Sequence, residues 1–247
     1  MAQESIIYGI HAVSAALEHH PENILAIFCQ KDSENPRLQP LFKQAHSLGY
    51  TVQSVSSAKM EKLAGSTHHQ GVAASVRASK GLDEKSLLSF VKNTDANLLL
   101  LVLEGVQDPH NLGACLRSAE ALGVDAVILP KDNTAPLNAT VSKAACGADQ
   151  TLKIVQVSNL VRCLESLQAE GIWVIGTSGN VETDLTQVKI GRRVAIIMGS
   201  EGKGLKRLTL EKCDEVVKIP LVGTVSSLNV SVATGICLYE CVRQRRT

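Results

Sequence analysis

Three stretches of this 247-residue chain carry glycines and hydrogen-bonding side chains beyond what packing alone requires. The first is Glu104-Gly105-Val106-Gln107-Asp108-Pro109-His110-Asn111-Leu112-Gly113-Ala114-Cys115-Leu116-Arg117. It leaves an apolar run and opens a helix whose buried stripe would be Leu112, Leu116 and Ala119. Asn111 stands where an N-cap belongs. Arg117 lies too far into the helix to cap it. It is either a surface arginine or a guanidinium able to hold a phosphate bidentately.

The second stretch is Ile196-Ile197-Met198-Gly199-Ser200-Glu201-Gly202-Lys203-Gly204, a strand running into a glycine-rich turn with one carboxylate. It matches neither the P-loop nor the dinucleotide fingerprint, so neither mechanism transfers. Its glycines let backbone approach a ligand closely. Glu201 is either turn decoration or a site carboxylate. The third stretch runs from Lys218-Ile219-Pro220 through Gly223 to Ser226-Ser227-Leu228-Asn229-Val230-Ser231. A strand stops at a proline, and a helix then opens with more polar groups than one cap needs. Ser226 or Ser227 can supply that cap. Each stretch follows an apolar strand, so all three can converge on one crevice at the carboxyl edge of a parallel sheet.

The elements that must position them follow from periodicity. Residues 1–76 read as a small α/β unit, with helices at 11–18, 40–48 and 58–64 and strands at 24–29, 50–55 and 71–76. Residues 77–96 are mixed and polar, a linker with a helix at 84–92. From 97 to 247 strands and helices alternate, with strands at 98–103, 125–129, 152–157, 172–176, 194–198 and 215–219. The intervening helices are at 111–122, 138–146 and 160–169, and a last one at 228–242. That alternation implies a parallel sheet covered by helices on both faces.

Composition narrows the functional classes. At 45% hydrophobic the chain can bury a full core, but only 3% is aromatic, which disfavours recognition of single strands by base stacking. The net charge is +1, so any basic surface must be local: Arg192-Arg193, Lys203/Lys206/Arg207, or Arg243, Arg245 and Arg246. Each of these reads equally as a solvated face. The seven cysteines, at 29, 115, 146, 163, 213, 237 and 241, form no C-x-x-C pair and none has a histidine at ligand spacing. They read as reduced thiols of a cytoplasmic protein that binds no metal. No apolar run approaches the ~20 residues of a membrane span, and the N-terminus shows no signal-peptide core.

Together the three stretches resemble the three motifs of the SpoU (TrmH-type) RNA 2′-O-ribose methyltransferases. The first motif is matched by Asn111, Gly113 and Arg117, and the second by Gly199, Glu201, Gly202 and Gly204. The third is matched by Ile219, Pro220, Gly223, Ser227, Leu228, Asn229 and Ser231. Tyr8-Gly9-Ile10-His11 and His69-Gln70-Gly71-Val72 are similar to the opening and closing segments of the family's substrate-binding extension. Within the family, the whole chain most resembles the enzymes that methylate a guanosine ribose in the P loop of 23S rRNA.

That resemblance implies a SPOUT-type parallel-sheet domain with a deep C-terminal trefoil knot, preceded by a small L7Ae/L30e-like RNA-binding domain. It implies S-adenosyl-L-methionine as cofactor, held by Gly199, Gly202, Ile219, Pro220, Leu228 and Asn229. It implies a catalytic set of Arg117, Asn111, Glu201, Ser227 and Asn229, and a homodimer with the last helix at the interface. The family mechanism casts the matching arginine as base. Arginine is effectively always protonated in proteins, so Arg117 better suits a phosphate clamp. A tRNA ribose is the alternative substrate, because all members share the three motifs. A non-catalytic ribosome-assembly factor would be expected to have lost Arg117, Glu201 or Asn229. A nucleotide-binding oxidoreductase is disfavoured, since no strand is followed by G-x-G-x-x-G.

Overall fold

The computed structural model describes residues 4–31, 33, 35–77 and 82–246. Contacts divide the chain into two compact units: residues 1–80 with 136–151, and residues 81–135 with 152–247.

The first unit is built on a mixed four-stranded sheet of order β1-β4-β2-β3, from β1 (Glu4–Tyr8), β2 (Ile24–Gln30), β3 (Val52–Val55) and β4 (Val72–Arg77). β4 runs antiparallel to β1 and β2, while β2 and β3 are parallel. α1 (Ile10–His19) and α2 (Leu38–Ser47) bury Val13, Leu17, Leu38 and Leu41 against Ile27, Val72 and Ala74 on one face. α3 (Ser57–Ala64) packs Met60 and Ala64 against Tyr8 and Ala73 on the other face, with Ala139 beside them. The sequence reading has no strand at 4–8. β1 is a short edge strand that exists by pairing with the distant β4, a non-local bond that periodicity cannot report.

Ala139 belongs to a segment from the later part of the chain, α6 (Ala139–Ala144) and α7 (Ala148–Thr151). Where the sequence suggests one helix over 138–146, α6 stops at Ala144, and Cys146 and Gly147 adopt positive φ and separate it from α7. The segment belongs to the first unit, although it is flanked by strands of the second.

The second unit is a six-stranded, wholly parallel sheet. It comprises β5 (Leu98–Leu103), β6 (Ala126–Pro130), β7 (Ile154–Val157), β8 (Trp173–Thr177), β9 (Arg193–Met198) and β10 (Glu215–Val217), in the order β10-β8-β9-β5-β6-β7. Every residue of β5 is buried, as a central parallel strand covered on both faces requires. α4 (Glu84–Lys92) and α8 (Leu160–Ala169) cover one face with Leu87, Val91, Leu164 and Leu167. α4 therefore contributes to this core, although it lies in the stretch expected to link the two parts. α5 (Pro109–Ala121) and α10 (Val230–Arg245) pack on each other, and Cys115 meets Thr234 between them at 3.4 Å. A short α9 (Arg207–Leu210) precedes β10. No helix among the described residues is long and apolar enough to cross a membrane.

β5 and β9 pair in register from Leu98↔Arg193 to Leu103↔Met198. Their chains then depart for different neighbours, which makes the β5/β9 boundary the topological switch point where such sheets place ligands. The opposite edge is closed by arginines. Arg193 donates to the carbonyl oxygens of Thr94, Val91 (2.9 Å) and Glu170 (3.2 Å), capping the ends of α4 and α8 together. Arg193→Ala orphans these acceptors and is expected to lower stability by about 2–3 kcal/mol, read as a lower midpoint in denaturant titration. A midpoint equal to the parent's would show that water replaces the guanidinium without loss.

Candidate active site

A cavity of about 590 Å³ opens at the carboxyl ends of β8, β9 and β10, within the range of about 300–1,000 Å³ typical of small-molecule sites. Thr177, Met198 and Val217, the last residues of the three strands, line it with the loops that follow them. Of the residues singled out in the sequence, Gly199, Glu201, Gly202, Ile219, Ser227, Leu228 and Asn229 line the cavity. Pro220, Asn111 and Arg117 do not. The sequence reading passed over Thr177, Ser178, Gly179 and Asn180, which also line it. Their position at the end of β8, two strands from β5, is a signal that topology holds and local sequence does not.

The glycine-rich turn is shaped by backbone crowding. A Cβ on Gly199 would lie 2.3 Å from the carbonyl carbon of Gly204 and 2.5 Å from the amide nitrogen of Leu205. Ser200 and Gly204 close the turn with reciprocal backbone hydrogen bonds of 3.1 and 3.0 Å. Gly202 and Gly204 hold φ of 78° and 65°, the left-handed region that glycine adopts without strain. Glu104, 3% exposed, secures the exit of the turn. One of its oxygens accepts from the Lys206 amide at 2.9 Å and the other from the Thr209 hydroxyl at 2.8 Å. A buried carboxylate is tolerated because donors meet both oxygens.

Glu201 is the centre of the polar network. Its Oε1 accepts from Asn111 Nδ2 at 3.0 Å and from Asn229 Nδ2 at 2.8 Å, with the Val230 amide at 3.5 Å. Asn229 Nδ2 also donates to Asn111 Oδ1 at 2.9 Å. The three motif segments thus meet at one carboxylate oxygen. Both expected helix caps need correction here. α5 is capped by Asp108, which accepts from the His110 amide at 2.9 Å and precedes Pro109, a pairing suited to a helix start. With the cap supplied, the Asn111 side chain is free to reach Glu201. α10 is capped by Asn229, which accepts from the Ser231 amide at 2.9 Å and the Ser231 hydroxyl at 2.6 Å. Ser226 and Ser227 instead face the cavity.

Arg117 is exposed on α5, about 9 Å along the helix from Asn111 at 1.5 Å per residue. No carboxylate among the described residues pairs with it, which leaves its guanidinium available to an outside anion. Cys115, beneath the network, is inert. Burial pushes its thiol up to about 11; the Thr234 hydrogen bond opposes that shift and the Glu201 charge reinforces it. The described residues hold no cluster of metal-ligating side chains.

Comparison with known proteins fits this geometry. The SpoU rRNA Methylase family matches residues 98–239, and an RNA 2′-O ribose methyltransferase substrate-binding family matches residues 6–81. The chain belongs to the SpoU methylase family. Among its relatives is the 23S rRNA (guanosine-2′-O-)-methyltransferase RlmB of Shewanella oneidensis, 51% identical over 247 residues and covering 100% of both chains. The crystal structure of an RNA 2′-O ribose methyltransferase superposes with a TM-score of 0.83 at 26% identity, covering 100% of this chain and 90% of that one. The SpoU methyltransferase AviRb from Streptomyces viridochromogenes, solved with AdoMet, shares the fold at a TM-score of 0.79 and 23% identity, covering 98% and 91% of the two chains.

This SpoU enzyme therefore offers a direct test of its turn. Gly199→Ala forces Cβ into the Gly204 carbonyl and must open the Ser200–Gly204 bridge. The strain, about 1–3 kcal/mol, is expected to weaken S-adenosyl-L-methionine binding about tenfold or more by calorimetry. An affinity within twofold of the parent's would show that the turn does not shape the site.

Proposed function

We propose that this enzyme transfers a methyl group from S-adenosyl-L-methionine to the 2′-hydroxyl of a guanosine in 23S rRNA, within the peptidyl-transferase P loop. The observation that carries the reading is the convergence of three family motifs on Glu201 Oε1 beside the cavity. The choice of rRNA is supported by likeness to a 23S rRNA enzyme along the whole chain, including the substrate-binding portion.

The cavity suits the cofactor chemically. Met198, Leu205, Leu210, Val217 and Ile219 offer apolar surface for a nucleoside and a thioether chain, and the Gly199 and Leu228 segments offer backbone groups. Bound there, the cofactor supplies an activated methyl on a sulfonium, with a neutral leaving group. The residues of the chain must do the rest. A ribose hydroxyl is a poor nucleophile at neutral pH, so alignment of oxygen with methyl carbon is the main demand. As the oxygen–carbon bond forms and the carbon–sulfur bond breaks, the hydroxyl proton passes to water. Glu201 fixes the amides of Asn111 and Asn229, and with them the starts of α5 and α10. Ser227 and Asn229, on the cavity wall, position the ribose and the cofactor. Arg117 holds a substrate phosphate bidentately and steadies negative charge developing on the attacking oxygen.

We assign the first unit, residues 1–80 with 136–151, to RNA binding with an L30e-like fold, and the second, which includes α4, to a knotted methyltransferase domain. A homodimer in the cytoplasm completes the reading. Its support is α10, where Val232, Ile236 and Tyr239 form one apolar face, 51%, 39% and 61% exposed, that a second copy can cover.

The test offers labelled S-adenosyl-L-methionine with an unmodified 23S rRNA fragment holding the P loop, and separately with bulk tRNA. Label on one guanosine ribose of the fragment is expected; label on tRNA alone would overturn the substrate. Arg117→Ala should lose turnover by on the order of 10²-fold while keeping cofactor affinity. A rate within a few-fold of the parent's would remove Arg117 from the mechanism.

A further inference from the structure

The chain has little net charge, so an RNA substrate must be gripped by local cations. Of the three basic clusters in the sequence, the structure engages most of two. Arg193 holds carbonyl oxygens of α4 and α8, and Arg245 donates to the carbonyls of Leu98 and Arg192. Arg243 pairs with Glu240 at 2.7 Å. The remaining Arg192 and Arg246 lie away from the cavity. Arg192 sits at the opposite end of β9, about 20 Å off at the rise of a strand. Arg246 follows the end of α10, about 26 Å along the helix from Asn229.

The third cluster is at the cavity mouth. Lys203 lines the cavity between Gly202 and Gly204, whose positive φ values turn the chain sharply on both sides of it. Lys206 follows, its backbone amide fixed by the buried Glu104. Arg207, next along, pairs with Glu211 at 2.5 Å. The other lysine of the cavity wall, Lys218, faces Glu182 at 3.4 Å and Asp184 at 4.0 Å. Among the described residues, no carboxylate pairs with Lys203 or Lys206. The adjacent Glu201 has Oε1 engaged by two side-chain amides.

We infer that Lys203 and Lys206 grip the RNA backbone, contacting phosphates beside the target ribose as it enters the cavity. This rests on the rRNA-methylation reading of the same site. Two unpaired ammonium groups beside the cavity suit that task, because any ribose placed there brings flanking phosphates with it. A lysine binds phosphate as a point charge and does not select a base, so the pair contributes affinity and orientation while sequence choice lies elsewhere.

The experiment uses the full chain and an unmodified 23S rRNA fragment. RNA affinity is measured from about 50 to 200 mM salt, together with KM, kcat and cofactor affinity, for the parent, Lys203→Ala, Lys206→Ala, their double variant and Arg192→Ala. Each lysine removed should lower the slope of log affinity against log salt by about 0.7, and affinity itself about fivefold near 0.1 M salt. KM for RNA should rise to match, and Lys206→Ala, which lies outside the cavity wall, should keep the parent's cofactor affinity. Arg192→Ala should change none of these, and Lys203→Arg should restore the parent's salt slope. A parent that methylates the fragment alongside lysine variants of unchanged slope would overturn the inference and leave the enzymatic reading standing. So would an equal drop for Arg192→Ala, which would mark diffuse attraction. A parent that neither binds nor methylates the RNA would overturn both.

Discussion

One oxygen atom organises the catalytic end of this protein. Glu201 Oε1 receives hydrogen bonds from Asn111 and Asn229, whose side chains sit at the first turn of α5 and the cap of α10. These helices lie far apart in sequence and pack on each other in the fold. Their starts are held together by an acceptor from a third segment, the turn after β9. A carboxylate suits this role because hydrogen bonds to a carboxylate oxygen are stronger than those to a neutral carbonyl. The turn that delivers Glu201 depends in turn on the absence of a side chain at Gly199 and on Glu104 anchoring its exit. Removing any of these would relax the geometry on which alignment of an unreactive hydroxyl depends.

The architecture was largely legible in the sequence, and the reasons are physical. β5 and β9 are near-continuous apolar runs because both faces of a central parallel strand are covered. α4 and α8 were read with their observed limits because each is bounded by a side-chain cap, Asp83 and Asn159, and by a change in periodicity. What failed was whatever needed a partner to define it. β1 is a strand by pairing with β4. The sequence reading gave the cap of α10 to Ser226 or Ser227, whereas Glu201 holds Asn229 at the helix start by bonding its amide.

The candidate site was legible as motifs but not as a surface. Glycines and lone carboxylates after apolar strands revealed the loops, yet the loop at 177–180 carries no distinctive chemistry and joins the cavity through strand order alone. Arg117 illustrates the opposite gap: its place in the pattern is plain, while in the fold it lies on an exposed face of α5 rather than in the cavity wall. Similarly, three basic clusters look alike in sequence. Only hydrogen bonding separates arginines that close the fold from lysines that remain available.

The excursion of residues 136–151 into the first unit bears on how the chain is made. A ribosome delivers the strands and helices of residues 4–77 early, yet the unit they belong to also contains α6 and α7. Synthesis must pass through β5, α5 and β6 before those helices exist. The part of the molecule that begins first therefore cannot be finished until a stretch of the second unit has been made. Until residue 151 has emerged, the surface of β1 and α1 that α6 and α7 cover stays open, and the nascent chain must be kept soluble with that apolar surface in water.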